Sequence, residues 1–297
     1  MNVLSVLDLN VKETISLAEQ IKFDPKMYFS SLNQKFLVTF YEKDSTRTKI
    51  SFEKAAKELG SEVIELQNPH FKNNHEDIED TAKVISEYVD FFAARVHSHK
   101  FLEEFAQFSN ASVINLLSDK EHPCQAIADL LTIKEFKGLD NVKVAYVGDG
   151  NNVCNSLMLG CASLGLDFSV ASPKKFLPAK EFLNNASELA ELNDCSMDVF
   201  QDPFSAVKNA DVVYTDVWVS MGQEDDTNKL KQFSEFQVNS ELMENAKSNA
   251  IFMHCLPAIK DLEVSKDVID GSHSVVFQQA ANRLYAQKAI LLCAGTI

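Results

Sequence analysis

Short apolar runs alternate with helical-period segments along the whole chain. LVTF (37–40), EVIEL (62–66), FFAARV (91–96) and SVINLL (112–117) are too short for helices and predict buried strands, with 3.6-period segments between them. A second series repeats the pattern: KVAYVG (143–148), DFSVAS (167–172), SMDVF (196–200), DVVYTDVW (211–218) and AIFMHCL (250–256). Strands separated by helices predict parallel pairing, with the helices covering the sheet faces. The reading is an α/β protein of two domains, each a parallel sheet flanked by helices. The boundary falls near EFKGLDN (135–141), where the helix beginning around His122 ends and Gly138 can supply its C-terminal cap. Residues 1–137 and 138–277 are the expected domains. FQQAANRLYAQKAILLCA predicts a long terminal helix, and residues 278–297 are expected to return to the first domain.

Composition narrows the function classes. The 297 residues suit two domains, and 45% hydrophobic with 24% charged residues excludes a disordered chain. A formal net charge of -15 repels polyanions, which argues against nucleic acid as a partner. An anionic substrate then needs locally gathered cations, so Arg47, Arg95 and Arg283 become informative. No stretch approaches the roughly 18 apolar residues of a membrane helix, and the N-terminus lacks a basic region followed by an apolar run. The expectation is a cytoplasmic protein without membrane contact. Six cysteines without a CxxC pair read as free thiols in a reducing compartment rather than a zinc or redox motif.

Ligands of parallel sheets bind beyond the carboxyl ends of the strands, and polar residues accumulate there in this chain. EKDSTRTKISFEKAAKELG (42–60) opens a helix on Ser45, Thr46, Arg47 and Thr48. Helix capping by Ser45 needs one such residue; four in succession at a helix N-terminus suit a dianion. HPCQ (122–125) starts another helix with Pro123 in its first turn, and His122 and Gln125 share one face. His122 could merely cap that turn, the reading its residues alone favour, and HSH (97–99) with HPC (122–124) lacks a zinc-ligand spacing. VGDGNNV misses the third glycine of a dinucleotide fingerprint, and no acidic residue ends the next strand. Asn151 and Asn152 can instead cap a helix or offer amides to a carboxylate. DVWVSMGQEDD (216–226) reads as a solvated acidic loop or, through Asp216, Ser220 and the Met221 backbone, as an amino-acid receptor. HCLPA (254–258) places Cys255 at a strand end, where a positive local potential would favour a thiolate; a buried inert cysteine is the alternative.

Taken in order, STRT, the arginine of AARVHSH, HPCQAIADLLTI, VGDGNNV, DVWVSMGQE, HCLPA and QAANRLYAQKA resemble the ornithine carbamoyltransferase family over nearly the whole chain. STRT, HPCQ and the final arginine are shared with aspartate carbamoyltransferases, whereas SMGQE and HCLP point to ornithine. The resemblance implies a carbamoyltransferase of arginine metabolism, without metal or organic cofactor, making citrulline and phosphate from carbamoyl phosphate and L-ornithine. By it, Ser45, Thr46, Arg47 and Thr48 would hold the phosphate, Arg95 would bridge phosphate and carbonyl, and His122 would polarise that carbonyl. Gln125 and the backbone of Cys255 and Leu256 would position the carbamoyl amino group, with Arg283 arriving from the terminal helix. Asn152 and the Met221 backbone would take the ornithine carboxylate, and Asp216 and Ser220 its α-ammonium.

Cys255, with Asp216 nearby, would receive the δ-ammonium proton, because presenting a lysine-like amine neutral at pH 7 costs roughly 4 to 5 kcal/mol. The family also implies a homotrimer, or a multiple of trimers, with domain closure over the substrates. Putrescine, aspartate or an N-acylated ornithine as acceptor, and a catalytically silent protein on the same fold, are the competing readings. Three departures stand out: KNNHED (72–77) replaces a glycine-containing loop, Lys49 stands where arginine is usual, and Ala281 stands where glutamate is common. In relatives that loop can reach a neighbouring subunit's site, a role that would fall to Lys72 or His75.

Overall fold

The computed structural model describes residues 1–43, 45–67, 76–219 and 227–295. The chain divides into two units, residues 1–131 with 282–297, and residues 132–281. Up to the division run α1 (Val11–Phe23), β1 (Phe36–Tyr41), α2 (Thr46–Glu58), β2 (Glu62–Leu66), α3 (Ile78–Ser86), β3 (Phe91–Arg95), α4 (His99–Phe108), β4 (Ser112–Leu117) and α5 (Pro123–Lys137). There follow β5 (Lys143–Val147), α6 (Asn152–Ser163), β6 (Asp167–Ala171), α7 (Lys180–Leu192), β7 (Met197–Phe200), α8 (Pro203–Val207) and β8 (Val212–Thr215). The remainder is α9 (Thr227–Phe233), α10 (Ser240–Met243), β9 (Ile251–His254), α11 (Lys266–Ile269) and α12 (Val276–Gly295).

Every strand pair is parallel, in the orders β2-β1-β3-β4 and β7-β6-β5-β8-β9. Sheets covered on both faces need continuous rather than alternating apolar runs, which explains FLVTFY, FFAAR and SVINLL. Phe92 of β3 stacks on Phe105 of α4 at 3.9 Å between ring centroids, within a core that includes Val38, Phe40, Leu102 and Val113. In the second unit Val147, Val213, Phe233 and Phe252 belong to one core cluster. EVIEL and SMDVF differ from the expected buried strands. They are the sheet edges β2 and β7, only partly covered, and Glu62, Glu65 and Asp198 put charge on strands whose outer hydrogen-bonding groups would otherwise invite another strand.

α5 ends where Gly138 takes φ +75° and returns its N–H to Lys134 O, a left-handed cap that glycine enters without steric cost. From Asn282 onward α12 packs on the first unit. Lys22 of α1 donates to Asn282 Oδ1 at 2.8 Å, and the buried Lys288 pairs with Glu58 of α2 at 2.6 Å.

Candidate active site

In the first unit β1 and β3 are neighbours although α2, β2 and α3 lie between them in sequence, so the loops leaving these two strands diverge to opposite faces and open a crevice. Ser45 and the start of α2 follow β1, and Arg95 ends β3. Ser45 occupies the N-cap position of α2 but makes no side-chain cap; its Oγ accepts from Arg95 Nη1 at 3.2 Å. The capping reading of Ser45 therefore fails. Thr46 and Arg47 are exposed on the first turn, and Thr48 faces inward, fully buried.

Arg283, also buried, donates from Nη2 to Thr48 Oγ1 at 2.8 Å and from Nη1 to Gln125 Oε1 at 2.9 Å. Gln125 passes its own amide N–H to Asp129 at 2.8 Å, which orients Oε1 toward the guanidinium. His122 precedes α5, and its carbonyl accepts from the N–H groups of Gln125 and Ala126. Burial lowers the His122 pKa well below its ordinary value, and the charges of Arg283 and Arg95 lower it further, so the ring is neutral at pH 7. Two guanidiniums that suppress imidazole protonation, beside a helix N-terminus, create a positive potential suited to a dianion. Burial pushes the neighbouring Cys124 thiol up to about 12, which makes it an inert core residue.

In the second unit the same topological rule applies to the neighbours β5 and β8. Asn151, after β5, accepts with Oδ1 from Val153 and Cys154 N–H, capping α6, while its Nδ2 donates to Asp216 Oδ2 at 2.8 Å. Asn152, the first residue of α6, accepts from Val153 N–H at 2.9 Å. Asp216 Oδ1 accepts from Cys255 Sγ at 3.0 Å. Within this unit the group facing Cys255 Sγ is a carboxylate, not the positive potential expected there.

Leu256 takes φ +59°, an uncommon conformation for a non-glycine residue, and its N–H is held by His254 Nδ1 at 2.9 Å. His254 Nε2 lies 3.3 Å from Glu263 Oε1, and both residues are fully buried. The His254 backbone N–H is fixed by Gln279 at 2.9 Å.

Asp216, His254 and Cys255 are near enough to be considered as metal ligands. Two of the three already have protein partners: His254 Nδ1 accepts the Leu256 N–H, and Cys255 Sγ donates to Asp216 Oδ1. His97 is exposed, with its backbone N–H on Glu42, and His99 Nδ1 faces Ser118.

Sequence reading brought out Ser45, Thr48, Arg95, His122, Gln125 and Arg283, which converge in the first unit, and Asp216 with Cys255, which meet in the second. Cys255 and Leu256 belong to the second unit. Ser220, Met221, Lys72 and His75 lie outside the described residues. The Asn151 bridge and the His254–Glu263 pair were not found in advance. The capping signal for Asn151 was visible; its second partner is 65 residues away. Lys49 pairs with Glu65 of β2 at 2.5 Å. Ala281 is exposed on α12, and nothing around it explains the departure from glutamate.

Two parallel α/β units, one with a buried cationic receptor and the other with a carboxylate–thiol pair, define a two-domain α/β enzyme that handles an anionic substrate. Residues 1–135 match the carbamoyl-P binding domain of aspartate/ornithine carbamoyltransferases, and residues 140–294 match their Asp/Orn binding domain. The chain is 46% identical to an ornithine carbamoyltransferase of Methanocaldococcus jannaschii over 97% of both chains. It is also 46% identical to one of Methanosarcina acetivorans over 98% of both. The solved ornithine carbamoyltransferase of Pyrococcus furiosus superimposes with a TM-score of 0.92 at 44% identity, covering 98% of this chain and 95% of that one. The chain belongs to the aspartate/ornithine carbamoyltransferase family.

Proposed function

We propose that the protein is an ornithine carbamoyltransferase of arginine metabolism, transferring the carbamoyl group of carbamoyl phosphate to the δ-amino group of L-ornithine. The observation that carries this reading is the convergence of Arg95, His122 and Arg283 on the STRT helix start, within the unit that matches the carbamoyl-P binding domain. Ser45, Thr46, Arg47 and Thr48 receive the phosphate. Arg95 spans phosphate and carbonyl oxygen, and neutral His122 donates to that oxygen. Gln125 and Arg283 hold the remaining polar atoms of the carbamoyl group, together with the Cys255 and Leu256 backbone.

On the acceptor side Asn152 and Met221 take the carboxylate of ornithine, and Asp216 and Ser220 its α-ammonium. The δ-ammonium loses a proton to the Cys255–Asp216 pair, and the free amine attacks the carbonyl carbon. The tetrahedral oxyanion is met by Arg95, His122 and Thr48, donors of a kind that contribute about 3 to 4 kcal/mol each in a dry site. The bond from carbon to the phosphate oxygen then breaks, and phosphate leaves against Arg47. None of these steps calls on a metal or organic cofactor.

We assign the chain to the cytoplasm, supported by its six free cysteines, which suit a reducing compartment. A homotrimer, or a multiple of trimers, is the proposed assembly. The exposed Phe29 and Ile50 on the first unit are side chains such an interface would cover. Light scattering on the purified protein checks this against a protomer of 33.2 kDa.

The test of function is citrulline formation from carbamoyl phosphate and L-ornithine, with putrescine, aspartate and N-acetylornithine run alongside. Selective turnover of ornithine supports the reading. Turnover with only another amine overturns the acceptor assignment, and silence with all four while carbamoyl phosphate still binds overturns catalysis.

A further inference from the structure

Lys229 of α9 and Asp149 of the β5–α6 loop form an ion pair at 2.6 Å in which both side chains are largely withdrawn from solvent, 9% and 14% exposed. Lys35–Asp90, Lys83–Glu79 and Lys260–Asp270, by contrast, are surface pairs. The Lys229 ammonium also lies 5.0 Å from the ring centre of Phe176, in the 3-10 turn after β6, and 5.8 Å from that of Phe233 on its own helix. Phe233 stacks on Trp218 at 5.5 Å, two residues beyond Asp216. One cation thus ties together the loops that follow β5, β6 and β8.

Burying two charges costs desolvation that an apolar pair would avoid, so this contact is a poor device for stability alone. What an ion pair adds is direction: an ammonium and a carboxylate satisfy each other in few arrangements. Asp149 O accepts the N–H of Asn151 at 2.7 Å, and Gly150 N–H reaches Phe176 O at 2.7 Å. The loop so fixed carries Asn151, whose amide holds Asp216, which in turn holds the Cys255 thiol.

We propose that Lys229 and Asp149 are positioning residues for the acceptor site, holding the β5–α6 loop so that Asn151 and Asp216 keep their register with Cys255. This rests on the functional reading above, which assigns Asp216 to ornithine and the Cys255–Asp216 pair to its δ-ammonium proton. Burial raises the Asp149 carboxyl above its ordinary range, with the ammonium of Lys229 opposing that rise, so removing Lys229 leaves a carboxylate that is costly to keep charged.

The experiment compares the full-length wild type with Lys229→Met, Lys229→Arg, Asp149→Asn and the double variant Asp149→Asn/Lys229→Met. Steady-state kinetics with each substrate varied are combined with peptide-resolved alkylation of Cys255 and Cys195 by iodoacetamide without substrates. Lys229→Met should raise the ornithine KM about tenfold, the effect of roughly 1.4 kcal/mol of lost orientation, with the carbamoyl phosphate KM within about twofold. Lys229→Arg should retain the wild-type ratio of the two KM values, and the double variant should recover part of the loss because no unpaired charge remains. Alkylation of Cys255, freed from its hydrogen bond to Asp216 Oδ1, should quicken in Lys229→Met while Cys195 is unchanged.

Equal rises in both KM values, or a lower Tm with unchanged kinetics and unchanged Cys255 alkylation, would overturn the proposal in favour of a purely structural pair. Should Lys229→Met fail to fold, the double variant decides by the same readouts. A wild type that makes no citrulline would sink the functional reading alone, and the alkylation pattern would then decide the positioning role.

Discussion

His122 offers the sharpest test of the cationic receptor. Its imidazole is held neutral by burial first, then by Arg283 and Arg95, so its folded pKa lies well below the unfolded value near 6.5. As pH falls the unfolded chain takes up this proton before the folded one does. Stability is therefore lost as pH drops below about 6.5, and the loss ends only once the folded imidazole itself protonates. While the folded ring stays neutral, the contribution is RT ln(1 + 10^(6.5 − pH)), or about 1 kcal/mol at pH 6 and about 2 kcal/mol at pH 5.

Urea unfolding of wild type and His122→Gln at pH 7.5, 6.0 and 5.0 isolates this contribution, because the chain's many carboxylates affect both proteins alike and cancel in the difference. The wild type should lose about 2 kcal/mol relative to the variant between pH 7.5 and 5.0. Phosphate should narrow that loss, since a bound dianion favours the imidazolium. A difference that does not change with pH would refute both the neutral imidazole and the positive potential inferred from it.

Other expectations concern single contacts. Arg283→Met removes two buried charge-assisted hydrogen bonds and should lower kcat/KM about 10²-fold or more, and Arg283→Lys should restore little, because lysine cannot fork to Thr48 and Gln125. Ser45→Ala should change the Tm hardly at all, less than the roughly 1 kcal/mol of a true cap, while raising the KM for carbamoyl phosphate. Asp216→Asn should cut kcat about 10²-fold or more in the citrulline assay through loss of the proton acceptor. Gly150→Ala places a Cβ 2.2 Å from Pro178 N and should destabilise by about 1 to 3 kcal/mol in thermal denaturation.

The fold was legible because parallel strands buried on both faces leave unbroken apolar runs, and Gly138 marked the end of α5. Edge position was not legible: EVIEL resembles a buried strand until the sheet order places it outermost. Local signals also misled where a tertiary partner outbid them, as at Ser45, which gives its Oγ to Arg95 instead of its own helix. Recognition by motif reached Arg283 and His122. It could not reach the pairs that hold the site, because Asn151–Asp216, His254–Glu263 and Lys229–Asp149 join residues whose spacing follows no helix or strand period. The resemblance set Asp216 near Cys255, but the residues alone pointed to a positive potential there, because the carboxylate neighbour arrives from a different strand end.

The adjacency of β5 and β8 bears on how such a protein changes its diet. The apolar framework of the sheet contributes nothing to choosing the nucleophile, so its residues can be conserved while the segments that leave these two strands drift. A gene library confined to codons 149–152 and 216–219, screened with alternative amines, would sample much of the accessible acceptor chemistry. New substrate preferences should emerge there without lowering the yield of folded protein, provided the buried Asp149 and Trp218 and the crowded Gly150 are spared.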